Sequence, residues 1–216
     1  MPLSFDYDVY IFDCDGVILD SNQLKLDAME KALGEYPVQD VVVCIDYFSK
    51  NFGRSRYHHV EHFLKNIICC RTDRYQQQYD NIILKYADFC LSLYKKAKVN
   101  AGFIDFISSV KVDKYVASGS DENELKQVFA ERGLDVHFSD IFGSPESKVN
   151  NVRKILERGY SNGVMLGDAL GDLIAAEKNN IDFIFLSDLS TAPDLVRQSE
   201  FFKGNEIGNF SHLIVS

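Results

Sequence analysis

A chain of 216 residues, 46% hydrophobic and 25% charged, has the composition of an ordinary globular protein and is long enough to bury a real core. Its 32 acidic and 23 basic side chains leave a formal charge of −9, which speaks against nucleic acid or an anionic membrane as main partner. No run approaches the roughly 18 apolar residues of a membrane span, and the opening MPLSFDYDVY lacks the basic region and apolar stretch of a signal peptide.

The first element is VYIF at 9–12, a continuous apolar run of the kind buried on both faces of a parallel sheet. From 19 to 98 the pattern turns helical. Leu24, Ala28 and Ala32 recur at i, i+4, i+8, and Tyr75, Tyr79, Ile82, Tyr86, Phe89 and Leu93 form a stripe that reads as core packing. Strand-like runs return at KYVAS (114–118), GVML (163–166) and DFIFL (182–186). Helical patterns separate them: Leu125, Val128 and Phe129 share a face within 122–132, as do Val149, Val152, Ile155 and Leu156 within 149–158. Gly133 and Gly159 stand where C-terminal glycines belong. The alternation predicts an α/β fold, a parallel sheet with right-handed crossovers. Residues 1–18 and 99–216 form its core, and 19–98 an all-helical insertion.

Chemistry gathers at the strand ends. Asp13-Cys14-Asp15-Gly16 closes the first strand, so two carboxylates at i and i+2 leave the sheet where open α/β sheets bind ligands. One can attack phosphorus, the other can handle protons, and both can hold a hard cation. Ser118-Gly119 ends the next run and offers a hydroxyl and an amide to a phosphoryl oxygen. Lys148 opens a helix after Ser144-Pro145-Glu146-Ser147 and can neutralise transferring oxygens. Gly167-Asp168 leads to Asp172 in the pattern GDxxxD, adding carboxylates at the same edge and making a magnesium site plausible.

Together DCDGVILDS, ASGS, SPESK and GDALGD resemble, in order and placement, the four motifs of the haloacid dehalogenase superfamily. The insertion looks like the C1 cap of the subfamily that includes phosphoglycolate phosphatase and β-phosphoglucomutase, on a Rossmann-like core. The resemblance covers essentially the whole chain. It implies a magnesium-dependent phosphatase of small phosphate monoesters, phosphosugars or phosphorylated acids. Asp13 is then the nucleophile that becomes an aspartyl-phosphate, and Asp15 the acid and base. Ser118, Gly119 and Lys148 hold the phosphoryl group. Magnesium is bound by Asp13, the Asp15 carbonyl and Asp168, with Asp172 in support. The alternative it carries is a phosphomutase, in which Glu usually stands at the position of Gly167. A dehalogenase would lack Asp15, and a non-catalytic module would be expected to lose a catalytic carboxylate.

Three further features receive a reading. In the insertion, Asn51-Phe52-Gly53-Arg54-Ser55-Arg56 has a Gly-x-Ser-Arg order similar to related phosphosugar enzymes, which makes Arg56, or failing it Arg54, a substrate-binding candidate. His58 and His62 lie four apart without a third ligand or an HExxH order, which predicts a surface helix. The five cysteines are odd in number and lack zinc-like spacing, so they read as reduced thiols, with Cys14 pointing away from its flanking aspartates into the core. The expected protein is cytoplasmic and a monomer or weak homodimer, with a small phosphorylated metabolite as its partner.

Overall fold

The computed structural model describes residues 6–70 and 73–213; the first five residues of the segment read for a leader lie outside them. In chain order the strands are β1 (Val9–Phe12), β2 (Leu19–Asp20), β3 (Lys98–Val99), β4 (Asp113–Asp121), β5 (Asp140–Ser144), β6 (Gly163–Gly167), β7 (Asp182–Leu186) and β8 (Glu206–Ile207). Six of them make one sheet in the order β5-β4-β1-β6-β7-β8, every pair parallel. The helices are α1 (Asn22–Ala32), α2 (Val38–Lys50), α3 (Arg56–His62), α4 (Tyr75–Tyr94), α5 (Phe103–Ser109), α6 (Glu122–Arg132), α7 (Lys148–Leu156), α8 (Leu170–Lys178) and α9 (Pro193–Arg197).

Successive strand residues point to opposite sheet faces, and both faces are covered. Tyr10, Phe12, Val116, Val164, Leu166 and Ile184 join one buried cluster, while Val9, Ile11, Tyr115, Met165, Phe183 and Phe185 join the other. On the first face Phe12 meets Phe103, Phe106, Phe138 and Phe210 with ring centroids 5.9–6.3 Å away. Truncating such a ring costs about 3–5 kcal/mol. The second face is closed by Val152 and Ile155 of α7 and by Leu173, Ala175 and Ala176 of α8.

After β5 the chain crosses over through α7 to β6, on the other side of β1. The carboxyl ends of β4, β1 and β6 therefore lie side by side at the point where strand order reverses, the crevice in which such sheets bind ligands.

The segment read as an all-helical insertion holds α1 to α4 but is not purely helical. Its two ends pair as an antiparallel ribbon, Leu19 opposite Val99 and Asp20 opposite Lys98. The buried face of α4 also departs from the expected stripe. It runs Ile82, Tyr86, Cys90, Tyr94, whereas Phe89 is exposed and Leu93 half-buried. A strict step of four drifts around a helix of 3.6 residues per turn, and here the packing follows the drift.

The insertion docks on the core along α6. Arg132 donates from Nη1 to the carbonyl of Tyr94 and from Nη2 to that of Ala97, both at 2.7 Å. Lys95 pairs with Glu131 at 3.1 Å. A loop of the insertion settles on the sheet edge where two core glycines leave room. A Cβ on Gly119 would lie 2.7 Å from the Gly53 carbonyl oxygen, and one on Gly171 3.1 Å from that of Phe52. Among the described residues no helix is long and apolar enough to cross a membrane.

Candidate active site

Asp13 follows the last residue of β1 and is 3% exposed. Its Oδ1 accepts from the amide of Cys14 at 2.7 Å and pairs with Lys148 Nζ at 2.9 Å. Lys148 is the first residue of α7, whose N-cap Ser147 accepts from the amide of Asn150. Its stem is buried and its ammonium also grips Asp172. Asp172 stands in the first turn of α8, and its Oδ2 accepts from the amides of Asp168 at 3.1 Å and Ala169 at 3.0 Å. A carboxylate is favoured there, beside the exposed amides of a helix N-terminus. Asp168 follows β6, and its Oδ2 accepts from Asn22 Nδ2 at 2.7 Å.

The carboxylates of Asp13, Asp168 and Asp172 converge, with one oxygen of each within 4.8 Å of the others. Three buried carboxylates face one ammonium, an electrostatic deficit. Burial pushes Asp13 up to about 7, with the charges of Asp172 and Asp15 adding to the shift and Lys148 opposing it. Burial and then the charges of Asp172 and Asp13 raise Asp168 well above the usual carboxylate range. Asp168 Oδ1 is buried without a hydrogen-bond partner. Gly16, at φ +76°, turns the chain out of β1, and a Cβ there would strike Asp168 Oδ2 at 2.2 Å. Buried, crowded, all-oxygen and partly unpartnered, this donor set fits a small hard cation.

Asp15 occupies a different pocket. Ser21 Oγ and Tyr94 OH donate to its Oδ1 at 2.6 and 2.8 Å, while Lys25 Nζ and Ser120 Oγ donate to its Oδ2, each at 2.8 Å. Burial acts to raise its pKa, but the Lys25 charge and the bonds from Lys25, Ser21 and Ser120 hold it below the ordinary value. Ser118 is fully buried in β4, and its Oγ accepts from the Ser120 amide at 3.2 Å. The strand was expected to end at Ser118-Gly119 but runs to Asp121, because Asp121 pairs with Ser144 of β5. Cys14 is buried in the core, and burial, with the charges of Asp15 and Asp13 adding to it, pushes its thiol up, which leaves it inert.

A cavity of about 380 Å³ opens between the insertion and the sheet edge, lined by Arg54, His58, Gly119, Lys148, Leu170 and Ile174 among others. Of the two candidate arginines, only Arg54 lines it. The expectation for Arg56 is corrected: it is 5% exposed, its Nη1 donates to Glu124 Oε1 at 2.7 Å, and its guanidinium lies over the Tyr86 ring at 5.1 Å. It is a buried tie between α3 and α6, because Glu124 offers a matching fork. His58 and His62 share a face of α3 around Tyr47, with His62 stacked on that ring at 3.6 Å.

Lys25, Tyr94, Ser21, Ser120 and Asn22 were not singled out from the sequence. The signals for them were the closing serines of two motifs, Ser21 of DCDGVILDS and Ser120 of ASGS, the Asn22 that follows, and a tyrosine at the end of α4.

A parallel α/β sheet with an acidic carboxyl edge beneath a helical insertion defines a class of hydrolases. The chain belongs to the haloacid dehalogenase-like hydrolases, whose family model matches residues 7–180. No protein of curated function matches the sequence. Among solved structures, a hydrolase from Pseudomonas syringae is 17% identical, with 97% of this chain and 100% of that one covered and a TM-score of 0.76. A haloacid dehalogenase-like protein from Streptococcus pneumoniae is 16% identical, with 96% of each chain covered and a TM-score of 0.73. CbbY from Rhodobacter sphaeroides, in complex with phosphate, is 16% identical, with 96% of each chain covered and a TM-score of 0.68. At such identities the likeness establishes the fold.

Proposed function

We propose that the protein is a magnesium-dependent phosphatase of small phosphate monoesters that works through an aspartyl-phosphate on Asp13. One observation carries the reading: Asp13, Asp168 and Asp172 converge, buried, around a single lysine at the carboxyl edge of the sheet. Asp13, Asp168 and the carbonyl of Asp15 would hold the ion, and Asp172, already occupied by Lys148 and two amides, supports them. When bound, magnesium supplies positive charge that lets an anionic nucleophile approach an anionic ester.

The Asp13 carboxylate attacks phosphorus, and the bond from phosphorus to the ester oxygen breaks. Asp15 acts here in its protonated form, which Lys25, Ser21 and Ser120 disfavour at rest, and gives the leaving alcohol a proton. Asp15 then takes a proton from water, whose oxygen attacks the phosphoenzyme and regenerates Asp13 with release of phosphate. Lys148 and, on the neighbouring strand, Ser118 and the Gly119 amide receive the phosphoryl oxygens. The Gly167 position favours hydrolysis over the mutase alternative. A side chain there would place its Cβ 2.2 Å from Asp172 Cβ, displacing the carboxylate.

The cavity suits a ligand the size of a phosphosugar or phosphorylated acid. The likeness to CbbY, one structure of which holds xylulose-1,5-bisphosphate, supports the same class. A core of residues 1–18 and 99–216 with a helical unit of 19–98 belongs to this reading, as does a cytoplasmic setting, supported by five free cysteines.

The test is phosphate release from a panel of phosphorylated sugars and acids. Magnesium should support it, chelator should stop it, and calcium, larger and less strict in geometry, should not restore it. Magnesium should also raise the Tm of the wild type but not of Asp168→Asn. Full turnover in chelator would overturn the metal assignment, and phosphorus NMR showing isomerised ester would favour the mutase.

A further inference from the structure

The insertion reaches the core chemistry at one carboxylate. Lys25, on α1, is 9% exposed, and its ammonium lies 2.8 Å from both Asp15 Oδ2 and Ser120 Oγ. Tyr94, the last residue of α4, bonds to Asp15 and lies 2.7 Å from the same Ser120 hydroxyl. Ser21 stands at the N-cap of α1, yet its side chain makes no cap bond; the hydroxyl is spent on Asp15. Ser21 and Lys25 are four residues apart, so one face of α1 presents both. Four donors converge on the two oxygens of Asp15, and Lys25 is the charged one among them. These contacts restrict the rotation of the Asp15 side chain about its own bonds.

We propose that Lys25 is a positioning residue for Asp15, holding the carboxylate in the orientation that proton transfer requires. The inference rests on the assignment of Asp15 as acid and base. The chemistry of Lys25 suits this role, since it is a compact ammonium with several donors, two of them fixed here, on a stem that the helix buries. Asp15 and Ser120 belong to the core, whereas Lys25 and Tyr94 belong to the insertion. The acid/base geometry is therefore complete only with the insertion docked. A bridge that merely held the fold together would alter Tm and leave the chemical step alone.

The full chain is assayed with p-nitrophenyl phosphate as Lys25→Gln, Asp15→Asn and the double variant. Lys25→Gln should lose about thirty- to hundredfold in kcat with KM within about twofold, since a misplacement near 1 Å costs about that much. In the Asp15→Asn background the same change should cost less than about twofold further, because a residue acting through Asp15 has nothing left to position. A folded Lys25→Gln with kcat near wild type would overturn the inference, as would an equal loss in both backgrounds. Should Lys25→Gln not fold, Lys25→Arg keeps the charge but cannot reproduce both contacts. It should lose about tenfold in kcat, and wild-type kcat there would overturn the inference. An inactive Asp15→Asn beside a fully active Lys25→Gln removes Lys25 alone; wild-type turnover by Asp15→Asn removes the Asp15 assignment and this inference together.

Discussion

The sheet edge and the helical insertion treat buried charge in opposite ways. At the edge Asp13, Asp168 and Asp172 crowd around Lys148, and Asp168 keeps an oxygen without a partner. In the insertion every buried charged side chain among the described residues crosses to a core carboxylate, Lys25 to Asp15 and Arg56 to Glu124. Its buried histidine, His59, is held neutral, the ring stacked on Phe48 at 3.8 Å and both nitrogens unpartnered. A surplus of one sign leaves the edge open to a cation; a matched pair is resolved within the fold.

The largest effect should come from breaking the edge. Asp13→Asn, nearly isosteric at the strand end, should reduce phosphate release by at least about a thousandfold while circular dichroism stays that of the wild type. Retention of a few per cent of activity by pure variant would place the nucleophile elsewhere.

The two arginines sharpen the contrast within a span of three residues. Arg56→Ala strands Glu124 and should cost about 3 kcal/mol in urea unfolding. Arg54→Ala should leave stability within about 0.5 kcal/mol, since Arg54 is exposed and has no ion-pair partner among the described residues. It should lower kcat/KM for the best natural substrate by roughly one to two decades and hardly touch p-nitrophenyl phosphate. If Arg54→Ala impairs both substrates alike, specificity lies on another wall of the cavity.

The smallest effect concerns His59. Burial, and then the charges of His58, Lys25, Arg54 and His62, hold its pKa well below the ordinary histidine value. The unfolded chain therefore binds a proton near pH 6.5 that the folded chain refuses, and stability falls as pH drops below that point. The slope for one group is at most about 1.4 kcal/mol per pH unit and ends at the folded pKa. Between pH 7.5 and 5.5 the wild type should lose roughly 1 kcal/mol more than His59→Phe, which keeps the stack on Phe48. Parallel pH curves for the two proteins would mean that water or a shifted ring satisfies the histidine.

Where local chemistry decides structure, the sequence was legible. Helix α6 begins at Glu122 and ends at Arg132 as read, because Asp121 caps one end and Gly133, at φ +65°, the other. The acidic edge was legible too, because its residues stand at strand and helix ends. Strand β5 was missed: DIFGS is short and half-buried, and its pairing with β4 is what makes it a strand. Lys25 was missed, and Arg56 was read as a substrate contact, because only tertiary packing brings Asp15 and Glu124 to them.

The ribbon of β2 and β3 has a consequence for how the polypeptide is made. Val9 lies opposite Asp113 in the finished sheet, so β1 cannot find its neighbour until the whole insertion has been synthesised. The intervening helices pack on one another, α1 against α4 above all, and lengthening a closed loop adds only about 0.6 kcal/mol per doubling. Because the ribbon brings the two ends of the insertion within one strand spacing, about 4.8 Å, a short turn could replace everything between them. In chain terms the insertion leaves the core and returns to it at one place, through the paired ends of the ribbon.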